Sequence, residues 1–74
     1  MTLGELGVGK SAIVLSVHGV GLLRRRLLDM GITPHTRITV RKKAPMGDPI
    51  EICLRGYTLT IRRYDANNID VEEV

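Results

Sequence analysis

The run "PIEICLRGYTLTIRR", Pro49 to Arg63, decides the fold. Ile50, Ile52 and Leu54 alternate with Glu51, Cys53 and Arg55. Tyr57, Leu59 and Ile61 then alternate with Thr58, Thr60 and Arg62. Apolar residues at a period of two line one side of an extended chain, so each half reads as a half-buried strand. Gly56 between the halves marks a tight hairpin. The same period continues on both sides. "TRITVRK" sets Ile38 and Val40 against Arg37, Thr39 and Arg41, and the turn-rich "APMGDP" joins it to the hairpin. "IDVEEV" sets Ile69 and Val71 against Asp70 and Glu72. "DANN" suits a short turn before it, with Asp65 as a cap.

Further upstream the period changes. In "VGLLRRRLLDM", residues 20–30, Val20, Leu23, Leu27 and Met30 stand on one helical face, with Arg25 and Asp29 opposite. Gly31 and Pro34 supply the stop. Before the helix, "KSAIVLSVH" returns to a β-branched run in which Ile13, Leu15 and Val17 alternate with Val14 and Ser16. Five short strands and one helix in 74 residues make a single, mainly β domain spanning 1–74. Short half-buried strands hide their edges most economically by curling. The expectation is a small SH3-like barrel of about five strands, with one α-helix inserted after the first strand and covering one end.

Composition narrows the function. A domain this small buries only about 60% of the surface its unfolded chain exposes, so its core is thin. Cys53 is the one cysteine, so no disulfide forms within the chain, which fits a reducing compartment. No apolar run approaches the roughly 18 residues of a membrane helix, and no signal peptide is visible. The expectation is a cytoplasmic protein without direct membrane insertion. The net charge is +3, unevenly spread. Arg24, Arg25, Arg26, Arg37, Arg41, Lys42 and Lys43 precede an acidic tail of Asp65, Asp70, Glu72 and Glu73. A basic patch is expected. Tyr57 and Tyr64 are the only aromatics, too few to stack a single strand, and no helix is placed to read a duplex. Nucleic acid is therefore not expected as a partner.

"GELGVGKS", Gly4 to Ser11, matches the phosphate-binding string G-x-x-x-x-G-K-[ST]. That string works when a strand delivers the loop and a following helix aims free N–H groups at the anion. Here Ser11 is followed by a run that prefers a strand. The expected structure is a glycine-rich turn, Gly7-Val8-Gly9, with Leu3 and Leu6 plugging the end of the barrel.

Taken in order, "RRRLLDMGITPHTRITV", "APMGDPIEICLRGYTLTIRR" and "NNIDVEEV" resemble the ferrous iron transport protein A (FeoA) family over nearly the whole chain. The resemblance implies an SH3-like protein that is not an enzyme and has no cofactor. Its partner would be a FeoB-type ferrous iron transporter, and the GTP site would belong to that partner's cytosolic domain. The family also resembles the C-terminal domain of iron-dependent repressors. The alternative reading is thus a nucleic-acid-binding or metal-dependent-repressor-associated SH3-like module. Met30 and Met46 stand where the family often has leucine, a mild departure; the one that matters is His35, where the family usually has glycine, which costs strain if the backbone there has positive φ.

The candidate partner-binding residues are Leu22, Arg24, Arg25, Arg26 and Leu28 on the helix, with Met46 and Asp48 in the "APMGDP" loop. The arginine run is either a solvated face, with Arg25 and Asp29 paired, or a basic rim around the apolar centre formed by Leu22 and Leu28. Exposed leucines and strand edges also leave weak self-association open. Metal is not expected, since no ligand-pair spacing occurs. His18 and His35, flanking the helix, are the weak candidates. Cys53, on the polar set of its strand, is expected as an exposed thiol.

Overall fold

The computed structural model describes residues 1–74. Its elements are β1 (Ser11–Val17), α1 (Gly21–Asp29), β2 (Arg37–Lys43), β3 (Ile50–Leu54), β4 (Tyr57–Ile61), α2 (Arg63–Ala66) and β5 (Ile69–Glu73), preceded by a 3-10 turn at Leu3–Glu5. The five strands form one antiparallel sheet in the order β4-β3-β2-β1-β5. The mainly β, SH3-like architecture with a helix after the first strand is as the sequence implies.

The β3–β4 hairpin pairs Leu54 with Tyr57 across a two-residue loop. Both loop residues have positive φ, 49° at Arg55 and 83° at Gly56, as a type I′ turn requires. Ile50, Ile52, Leu54 and Ile61 are buried, while Leu59 packs half-buried against the core and Tyr57 stays exposed. Tyr57 instead sends its hydroxyl to the Met30 carbonyl at the end of α1.

The first strand corrects the sequence reading. Ala12, Val14 and Val17 are buried, whereas Leu15 is exposed. A bulge between Val14 and Ser16, against β5, inserts Leu15 as an extra residue. Two inward residues can then stand three apart. The helix stripe is also corrected: Val20 is the N-cap residue and is 80% exposed. Leu27 is the one fully buried side chain of α1, and Leu23, Leu28 and Met30 pack half-buried on the core. Gly31, at φ 95°, ends the helix in a Schellman motif. Its N–H donates to the Leu28 carbonyl, and that of Ile32 to the Leu27 carbonyl, at 3.0 and 3.1 Å. Leu27 and Ile32 are both fully buried. Each contributes about 1.5–3 kcal/mol of apolar burial.

"RYDA" forms α2, a one-turn helix, where the sequence suggested only a turn. Asp65 sits at its third position and accepts the Arg62 N–H, so it caps the turn from within. Leu3 and Leu6 are fully buried and plug the core beside β5, as expected. The N-terminus also covers the outer edge of β5: Thr2 bridges Asp70, and the Val71 N–H donates to the Met1 carbonyl at 2.8 Å. No helix is long and apolar enough to cross a membrane.

Candidate interaction surface

Helical geometry sets Leu22, Arg25, Arg26 and Asp29 on one side of α1, and all four are exposed. Leu22 is 84% exposed and forms the apolar centre of this face. The Arg25–Asp29 ion pair of the solvated-face reading is absent; the chain's ion pairs lie elsewhere. Arg25 is thus a free cation beside Leu22. Arg24 turns its Nε to the Val17 carbonyl at 3.2 Å, which ties α1 to the end of β1. Leu28 does not join Leu22, because it packs half-buried on the core.

Arg26 links the two candidate regions. Its Nη2 donates to both carboxylate oxygens of Asp65 at 3.2 and 3.4 Å. Asp65 is only 5% exposed, so this charged hydrogen bond compensates a buried carboxylate. On the other side of α2, Asp48 accepts the Arg63 N–H at 3.0 Å and lies 3.9 Å from Arg62 Nη1. Helix α2 therefore stands between α1 and the Ala44–Pro49 loop. Met46, in that loop, and Tyr64, on α2, are both strongly exposed. Sequence reasoning missed Arg62 and Arg63 as neighbours of Asp48. The signal was present in "RRYDAN", where Asp65 stands three residues after Arg62 in capping register.

The phosphate-loop string takes a different shape from the one its motif needs. The N–H groups of Glu5, Leu6, Gly9 and Lys10 donate to the carbonyls of Thr2, Leu3, Val40 and Gly7. Ser11 opens a strand, so no helix N-terminus faces the loop.

His18 places Nε2 2.8 Å from Asp70 Oδ2 and 3.0 Å from Ser16 Oγ. Both partners meet the same ring nitrogen, whereas a relay through histidine engages its two nitrogens separately. His35 is exposed at φ 74°, so it carries the strain anticipated for a non-glycine residue there. No three His, Cys, Asp or Glu side chains converge as a metal site. Cys53 is half-buried rather than exposed, with Sγ 3.7 Å from Thr58 Oγ1.

A family model described as the FeoA domain matches residues 1–73. An Fe(2+) transport protein A/Fe(2+) transporter FeoB fusion protein of Porphyromonas gingivalis is 40% identical over 72 residues. That match takes in 97% of this chain but only 8% of the fusion protein's length. The FeoA-like protein of Clostridium acetobutylicum superimposes with a TM-score of 0.93 at 39% identity, covering 100% of this chain and 86% of that one. The FeoA of Stenotrophomonas maltophilia, solved in complex with zinc and described as an SH3 domain protein, gives 0.85 at 29% identity, covering 97% and 89%.

Proposed function

The chain belongs to the FeoA domain family, and from that premise we propose that it is a non-enzymatic cytoplasmic accessory protein of ferrous iron uptake. It binds a FeoB-type transporter, in its GTPase domain or membrane part, and modulates it. The observation that carries this reading is the relative in which a FeoA segment and a FeoB transporter share one polypeptide. A covalent link holds two modules at high effective concentration, an arrangement suited to modules that touch. The contact face in this proposal is α1, with Leu22 at its centre and Arg24, Arg25 and Arg26 around it, extended by Met46 and Asp48 across α2. An exposed leucine rimmed by cations fits an apolar pocket with an acidic border.

The test is an NMR titration of isotope-labelled protein with the purified cytosolic GTPase domain of the transporter. Shifts should cluster in residues 20–36. The double variant Leu22→Ala, Arg25→Glu alters two exposed side chains and should leave the sheet resonances in place. It should weaken binding about tenfold or more, as loss of a central anchor does. Unchanged affinity in the folded variant removes α1 from the contact.

A further inference from the structure

The two outer edges of the sheet are treated differently. Met1 and Thr2 cover that of β5. That of β4 is open, since β4 is terminal in the strand order and makes no backbone hydrogen bond outside the sheet. The hairpin register says which groups are free. Leu54 and Tyr57 close the two-residue turn as a hydrogen-bonded pair, so Tyr57, Leu59 and Ile61 face β3. Thr58 and Thr60 therefore point their N–H and C=O groups away from the sheet, and both residues are exposed. Proteins usually blunt such an edge with a proline, a bulge or a charge. Tyr57–Ile61 contains no proline or charge, and its pairing with β3 runs without a bulge.

Charge at the ends of this edge is of one sign. Arg55 precedes β4, and Arg62 and Arg63 follow it. At the Thr60 end an open cleft of about 370 Å³ is lined by Lys42, Lys43, Pro45, Pro49, Glu51 and Thr60, with Ala44. Glu51 is its one acid, and Arg41 and Lys42 engage it at 3.0 and 3.9 Å. Asp48 lies near Arg62, but its carboxylate already accepts the Arg63 N–H. We propose that the β4 edge is a docking site for an extended acidic segment of a partner protein. The segment adds as a sixth strand on Thr58 and Thr60 and sets a side chain into the Lys42–Lys43 cleft. Main-chain bonds supply affinity in this mode of recognition, and an adjoining pocket supplies choice.

A second copy of the chain fits less well. Antiparallel pairing of two β4 edges, Thr58 against Thr60, would bring the turn carrying Arg55 in each copy towards Arg62 and Arg63 of the other. Like charge gathered at both ends of the pair disfavours it. The site adjoins the Ala44–Pro49 loop of the proposed transporter face but uses no residue of α1, so it stands whether or not α1 binds the transporter.

The test uses a capped peptide of sequence Glu-Val-Glu-Val-Glu-Val-Glu, its lysine counterpart Lys-Val-Lys-Val-Lys-Val-Lys, and the whole labelled protein. The acidic peptide should shift the Thr58 and Thr60 amides and slow their hydrogen exchange. The lysine peptide should bind at least about tenfold more weakly, about 1.4 kcal/mol. Thr60→Pro removes an N–H that points to solvent, not one of the β3–β4 bonds, and should weaken binding by roughly the same factor. If that variant does not fold, Arg62→Glu, at an exposed site, should lower affinity measurably. Equal binding of the two peptides, shifts on α1 instead of β4, or full affinity in the variants would overturn the proposal. Shifts of Thr58 and Thr60 with protein concentration alone would overturn it in favour of a second copy.

Discussion

His35 holds a backbone conformation that most side chains avoid, φ 74°, and no hydrogen bond of its imidazole offsets the cost. Its N–H still donates to the Val14 carbonyl at 2.8 Å, so the backbone there is held by the sheet whatever the side chain. A non-glycine residue in the left-handed region costs about 1–2 kcal/mol. Glycine returns part of that gain through its freer unfolded chain. His35→Gly should therefore stabilise the fold by roughly 0.5–1 kcal/mol, a rise of several degrees in Tm for a domain this size. His35→Val should lower Tm, because a β-branched side chain fits this region worst. Thermal unfolding of the three proteins checks the order, and a fall in Tm on His35→Gly would contradict it. This position was legible in the sequence because a histidine stood where the resemblance called for glycine. Arg55, at φ 49°, was not legible. Its guanidinium donates to Thr33 and Thr36 at 3.0 Å, and nothing in the local sequence announces so distant a partner.

At the scale of elements, α1 is well ended and poorly begun. Gly31 and Ile32 close it with two backbone bonds, whereas Val20 at the N-cap offers its carbonyl but no side-chain acceptor to the first turn. Val20 has the extended backbone of a capping residue, φ −88° and ψ 156°, and it is exposed. Val20→Asp should supply the missing acceptor and a favourable charge at the helix start, stabilising by about 1 kcal/mol. Val20→Ala should change little, because neither side chain caps. Denaturant unfolding of both variants separates capping from loss of an exposed apolar group: equal stability would rule capping out. The C-terminal end of α1 was readable from Gly31 and Pro34, since stop signals are local. The buried face was not, because Leu22, Leu23, Leu27 and Leu28 offer apolar residues on several sides of the helix. The phase of β1 failed for a similar reason. Ala12 to Leu15 is apolar at every position, so the pattern cannot select a face or reveal the bulge. Helix α2 barely exceeds one helical turn, too short for an amphipathic pattern to repeat, which left only the capping register of Asp65 to show it.

Across the whole molecule, the N-terminal segment, "GELGVGKS" included, closes the fold instead of forming a phosphate loop. It seals the core with Leu3 and Leu6 and covers the β5 edge, while its amides bond to its own chain. The period-two runs made the β-rich fold readable, but the 3-10 turn that completes it shows in the sequence only as Thr2 three residues before Glu5. That pair ties the turn together. The Thr2 N–H donates to Glu5 Oε1 at 2.7 Å, and this bond holds the Glu5 carboxyl below its ordinary value of 4.5. A carboxyl whose folded pKa is depressed favours the folded state when ionised. Its contribution is complete above pH 4.5, falls as the pH drops towards the folded value, and is absent below it. Glu5→Gln retains an oxygen to accept the Thr2 N–H but removes the charge and the titration. The native protein should therefore exceed the variant in stability at neutral pH, and the two should converge in acid. The readouts are Tm against pH and exchange of the Val71 amide, which bonds to Met1 and reports whether the N-terminal cover is closed. Parallel stability profiles for the two proteins would mean that Glu5 does not couple protonation to the seal. Convergence at neutral pH instead would reverse the sign of that coupling.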